Sequence, residues 1–120
     1  MARILLAEDD ESLRGFLARG LAKAGYRVHE APDGAQALEA MTKEKFDLLI
    51  ADIVMPGMDG IELARRACLE LPTLRVMFIT GFAAFALRAQ SYASQRGARV
   101  LSKPFHLRDL IEQVHRILAA

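Results

Sequence analysis

Six polar residues, Glu8, Asp9, Asp10, Asp52, Thr80 and Lys103, interrupt or follow short apolar runs of the chain. Glu8, Asp9 and Asp10 follow the run 4–7, Asp52 follows 46–51, Thr80 closes 75–80, and Lys103 follows Ser102 at the end of 98–102. Gathered in one place, the carboxylates of Asp9, Asp10 and Asp52 would repel one another unless a cation joined them. With no His or Cys among the donors, such an all-oxygen set suits Mg²⁺. A carboxylate also attacks phosphoryl groups, giving an aspartyl phosphate, when Mg²⁺ and a lysine offset the charge on the equatorial oxygens and a hydroxyl donates a hydrogen bond. Asp52, Lys103 and Thr80 supply those parts.

Taken singly, an Asp or Thr at the end of a strand is a turn former or a helix cap. Lys103-Pro104 reads as a strand exit in the same way, and Met55-Pro56-Gly57 as a turn. No fold, however, requires acidic, hydroxyl and lysine groups on separate strand ends. Their coincidence favours chemistry.

The elements that must position these groups follow from periodicity. Runs 4–7, 26–31, 46–51, 75–80 and 98–102 have strand length, and the first, third and fourth are almost continuously apolar, as strands covered on both faces are. The second alternates and reads as nearer an edge. Between the runs, Leu13, Phe16, Leu17, Leu21 and Ala24 recur at helical spacing before Gly25. Asp33-Gly34 opens a short helix through Ala37, Leu38 and Met41. Asp59 and Glu62 have capping-box spacing before 61–71, which Pro72 stops. Leu107, Leu110, Ile111, Val114, Ile117 and Leu118 form the clearest apolar stripe. The fourth helix reads as short or frayed, because 90–99 is polar. Five strand–helix alternations with right-handed crossovers predict a doubly wound α/β fold around a five-stranded parallel sheet. The C-terminal strand ends then share one edge, beside which open α/β sheets bind ligands.

Composition bounds the rest. A chain of 120 residues, 52% hydrophobic and 26% charged, holds one soluble domain. Lys+Arg 16 against Asp+Glu 15 leaves a net charge of +1, too little for a dedicated nucleic-acid surface. Cys68 is the sole cysteine, and the three histidines are widely spread, so neither a disulfide nor a zinc site is expected. The N-terminus lacks the apolar core of a secretory signal, and no run approaches the roughly 20 residues needed to span a bilayer. The expected setting is the cytoplasm, without membrane or nucleic-acid partners.

Glu8-Asp9-Asp10, Asp52-Ile53-Val54-Met55-Pro56-Gly57-Met58-Asp59-Gly60, Thr80-Gly81 and Lys103-Pro104-Phe105 together resemble the CheY-like receiver domain of bacterial two-component response regulators. The resemblance covers 1–120 as a single receiver without an output domain and implies a (βα)5 sheet in flavodoxin-like order 2-1-3-4-5. It implies that Asp52 is the phosphoacceptor, that Asp10 and Asp52 bind Mg²⁺ directly with the backbone carbonyl of Val54, and that Asp9 helps through water. Thr80 would be the switch hydroxyl and Lys103 the phosphoryl contact. A histidine kinase or histidine phosphotransfer protein would be the donor, and the chain would be a phosphoacceptor with self-phosphotransfer and autodephosphorylation rather than an enzyme. One departure is plain. Val100 stands where receivers commonly carry Tyr or Phe, so an aromatic rotation there is excluded.

Residues 1–14, 81–84 and 100–107 are similar to stand-alone receivers of the CpdR type, which implies a phosphorylation-controlled adaptor for the ClpXP protease, active when unphosphorylated. Two other readings compete. A Mg²⁺-dependent phosphohydrolase with a transient aspartyl phosphate typically carries a second Asp two residues on, where this chain has Val54. A receiver cut from a longer DNA-binding regulator would continue beyond Ala120. Cys68 reads as a buried structural thiol, Phe82 and Phe85 as either core or binding patch, and Ala119-Ala120 as an ordinary chain end rather than a degradation tag.

Overall fold

The computed structural model describes residues 1–119, Ala83 by its backbone alone, so Ala120 lies outside the described residues. The strands are β1 Arg3–Ala7, β2 Arg27–Ala31, β3 Leu48–Asp52, β4 Arg75–Thr80 and β5 Arg99–Ser102. They alternate with α1 Glu11–Lys23, α2 Gly34–Lys43, α3 Gly60–Glu70, α4 Ala83–Arg96 and α5 Leu107–Ala119. All pairings are parallel, in the order β2-β1-β3-β4-β5. This is the CheY-like flavodoxin fold, and every residue of its central strand β3 is buried.

The period of two along each inner strand divides the core. Leu5, Leu49 and Phe78 face Ala37, Leu63, Ala64 and Ala89, so α2, α3 and α4 cover one side. Ile4, Leu6, Ile50 and Ile79 face Leu17, Leu21, Leu110 and Val114, so α1 and α5 cover the other. Each fully buried Leu or Ile contributes about 1.5–3 kcal/mol relative to exposure. The apolar runs are therefore what fixes the sheet in place.

Three aspartates start helices. Asp10 accepts from Leu13 N–H at 3.0 Å, Asp33 from Gln36 N–H at 2.8 Å and Asp59 from Glu62 N–H at 2.8 Å. The capping box expected at α3 is only half made, because the Glu62 carboxylate is taken by Arg65 and, at 2.7 Å, by Arg66.

The fourth helix departs from expectation. Instead of a short or frayed element, α4 runs for 14 residues and is the longest helix among the described residues. Its polar residues point outward while Ala89 and Ala93 are buried, and Tyr92 packs edge-on to Phe78 with ring centroids 5.6 Å apart. Ser94 Oγ returns its hydrogen to the Gln90 carbonyl at 2.8 Å, so it does not break the helix. Gly97 ends it at φ 73°, a left-handed position that costs glycine nothing, and donates its N–H to Ala93 O at 2.7 Å. Cys68, expected to be buried, is half-buried. Phe82 is exposed and Phe85 partly buried against it, so that pair splits between the two readings.

Candidate functional site

At the C-terminal edge of the sheet, Asp52 ends β3 and is 5% exposed. Its Oδ2 accepts from Lys103 Nζ at 2.8 Å, and its Oδ1 accepts from the Val54 N–H at 3.1 Å. Lys103 also reaches Glu8 Oε1 at 3.2 Å, so one ammonium bridges two carboxylates. The lysine backbone is tied to β4, its N–H donating to the Thr80 carbonyl at 2.7 Å. Thr80, 1% exposed, accepts from Phe82 N–H through Oγ1 at 3.2 Å. The fold thus brings Asp52, Thr80 and Lys103 to one place from three strand ends, as their spacing predicts.

Electrostatics set the protonation states. Glu8 is fully buried, and that burial above all pushes its carboxyl up to about 7. The Asp10 N–H, donating to Oε2 at 3.1 Å, pulls the other way, and the neighbouring Asp52 charge adds to the rise. Burial alone would lower Lys103, yet its hydrogen bond to Asp52 and the Glu8 charge outweigh it and hold the ammonium above its ordinary value. Lys103 is therefore charged throughout the physiological range.

The acidic triplet needs a correction of one residue. Asp10, expected as a direct metal ligand, spends its carboxylate on the α1 cap. The acids whose oxygens lie within 4.8 Å of one another are Glu8, Asp9 and Asp52. Three consecutive acids allow either register on paper. In the structure Asp10 stands directly before Glu11, the first residue of α1, and its Oδ1 caps that helix, while the clustered oxygens are those of Glu8, Asp9 and Asp52. Glu8, quoted with the triplet but given no ligand role from the sequence, is the third acid of that cluster. Asp9 is exposed and open to solvent beside the buried pair.

Gly60, at the end of the motif that begins with Asp52, received no role from the sequence. A Cβ on Gly60 would lie 2.3 Å from the Asp52 carbonyl oxygen, far inside contact distance. Gly60 also donates its N–H to Ile53 O at 2.9 Å. The first turn of α3 therefore rests directly on the peptide of Asp52, and only glycine permits the approach. Val54, exposed at the loop, presents its backbone on the same edge.

A sheet in this order with an acidic cluster, a lysine and a hydroxyl on its C-terminal edge defines a phosphoryl-accepting receiver. The chain belongs to the response regulator receiver domain family, whose model matches residues 4–115. Among curated proteins it is 58% identical, over all of this chain and 99% of the other, to the response regulator receiver protein CpdR of Brucella abortus. Among solved structures it is similar to the chemotaxis protein CheY4 of Vibrio cholerae, at TM-score 0.88 and 30% identity over 98% of this chain and 99% of that one. The response regulator TrrA of Thermotoga maritima, solved with Mg²⁺ and BeF, matches at TM-score 0.87 and 29% identity over 98% of this chain and all of the other.

Proposed function

We propose that this chain is a response regulator receiver whose Asp52 accepts a phosphoryl group from a histidine kinase or histidine phosphotransfer protein. The observation that carries the reading is the Asp52 carboxylate held at 2.8 Å by Lys103 on the ligand-binding edge of the sheet. An Asp52 oxygen forms the new P–O bond as the donor's P–N bond breaks, and the departing imidazole takes a proton. Lys103, already on Asp52, meets the incoming negative charge, and the Val54 N–H orients the carboxylate. Water attack at phosphorus later releases phosphate and restores Asp52.

The donor set fits a divalent cation. Asp9 and Asp52, with the Val54 carbonyl, would hold Mg²⁺, and the buried Glu8 completes the acidic cluster beside them. Bound there, Mg²⁺ would offset negative charge on the transferred phosphoryl oxygens. Thr80 is the hydroxyl that reports the new charge by turning from Phe82 N–H toward it.

The downstream role rests on the CpdR-type resemblance and on the 58% identity to a protein of that name. In this reading the unphosphorylated chain acts in the cytoplasm as an adaptor for the ClpXP protease, and phosphorylation releases it. No helix among the described residues is long and apolar enough to cross a membrane.

The phosphoacceptor is tested by intact mass after incubation with Mg²⁺ and a small phosphodonor. Wild type gains one phosphoryl group, and Asp52→Asn gains none. An Asp52→Asn protein that still gained one would overturn the assignment. For the adaptor role, Asp52→Ala is expected to remain on immobilised ClpX while the kinase is active and wild type is released; its loss from ClpX would refute this sign of control.

A further inference from the structure

Two acids of the cluster, Glu8 and Asp9, stand on the short segment between β1 and α1 and belong to neither element. The peptide before Glu8 is tied to β2, its N–H donating to the Ala31 carbonyl at 3.1 Å. The next peptide, from Glu8 to Asp9, is held by a side chain of α1: Arg14 Nη1 donates to the Glu8 carbonyl at 2.9 Å. Among the described residues no other hydrogen bond falls on that peptide. The Arg14 backbone returns to the same segment, its N–H donating to the Asp10 carbonyl at 2.8 Å as the first turn of α1 closes.

The other side of the guanidinium rests on β2, with Nε 3.3 Å from Glu30 Oε1. The Arg14 side chain is 16% exposed, the least of any cation in an ion pair among the described residues, whereas Glu30 is 46% exposed. A pair with one member so open to water adds little to stability. It does orient the planar group, whose far end then meets the Glu8 carbonyl in a charge-assisted bond. Arg14 thus connects α1 and β2 to the loop that carries the acids.

Turning the Glu8–Asp9 peptide would swing the Asp9 carboxylate, whose oxygen lies within 4.8 Å of those of Glu8 and Asp52. Asp9 is exposed, and among the described residues its carboxylate takes part in no hydrogen bond or ion pair, so its direction is set by its backbone. Ligand oxygens fixed beforehand bind a cation more tightly than ones that must be ordered on binding, so the groups behind a ligand tune its affinity. We infer that Arg14 is a positioning residue: by holding the Glu8 carbonyl it aims the Asp9 carboxylate at Asp52 and raises the affinity for a divalent cation. This role rests on the reading of Asp9 and Asp52 as Mg²⁺ ligands.

The test is titration of MgCl₂ into the isotope-labelled full chain, freed of metal beforehand, with amide shifts as the readout. Arg14→Met keeps the stem and removes the donors; it is expected to weaken Mg²⁺ binding at least about tenfold and to move the Asp9 amide before any metal is added. Arg14→Lys keeps the charge without the planar two-ended contact. It is expected to bind more weakly than wild type, and it carries the test should Arg14→Met not fold. Glu30→Gln still offers an oxygen to Nε and is expected to stay within about threefold of wild type. Arg14→Met or Arg14→Lys binding Mg²⁺ as tightly as wild type, or Glu30→Gln binding as weakly as Arg14→Met, would overturn the role of Arg14 and leave the cation site standing. A wild-type chain without a saturable response, or Asp9→Asn binding as tightly as wild type, would remove the cation site and the role of Arg14 with it.

Discussion

Helices α1 and α4 are almost equal in length, at 13 and 14 residues, and they flank the same site from different sides of the molecule. Asp10 caps α1 through its side chain, and Leu17 and Leu21 seat it against β1 and β3. No side chain caps α4, its inward residues include Ala89 and Ala93, and Leu87 and Phe82 are 75% and 57% exposed. Since burial stabilises by about 0.8 kcal/mol per CH₂, a helix seated by alanines is held far less firmly than one seated by leucines. The difference separates two jobs. The half with Glu8, Asp9 and Asp52 is organised in advance, whereas the half beyond Thr80 needs little free energy to shift or open locally.

Gly60→Ala probes the rigid half hardest. Its Cβ would press on the Asp52 carbonyl at 2.3 Å, and the backbone must give way. A loss of about 3 kcal/mol is expected in urea unfolding, together with slower phosphoryl acceptance. A variant within about 0.5 kcal/mol of wild type would show that this half is softer than the contact implies.

Glu8 supplies the next effect. Its carboxyl is raised from 4.5 to about 7 in the folded chain, so the fold holds a proton that the unfolded chain has released. Stability from this group is full below about 4.5, falls as pH rises toward about 7, and is level above that. In EDTA-treated protein the decline should be on the order of 3 kcal/mol, and Glu8→Gln should flatten it. A wild-type profile already flat across that window would contradict it.

Asp10→Ala removes the α1 cap and is expected to cost about 1 kcal/mol while leaving Mg²⁺ affinity nearly unchanged. A large fall in Mg²⁺ affinity would instead return Asp10 to the metal. On α4, Leu87→Ser should change stability by under about 0.5 kcal/mol, since the side chain is mostly in water. A larger loss there would erase the contrast between the helices.

Much of this was legible before any coordinates. Continuous apolar runs announce buried parallel strands, and polar residues just past those runs land on one edge, which is how Asp52, Thr80 and Lys103 could be grouped across half the chain. Reading failed where one residue type serves two purposes. An aspartate caps helices as well as it binds cations, so Asp10, expected at the metal, stands at the start of α1, while Glu8 joins Asp9 and Asp52 in the acidic cluster. Polarity along 90–99 suggested fraying, yet outward-facing polar residues cost a helix little when alanines line its inner side. Gly60 left no signal beyond its type, because the atom it makes room for belongs to the backbone of Asp52.

The closeness of Gly60 to the Asp52 carbonyl also bears on how the chain can be recombined. A crossover between 52 and 60 in a chimera would take the two touching pieces of backbone from different parents. They must match to within the size of a methyl group, so exchange of this loop succeeds only when both of its ends travel together.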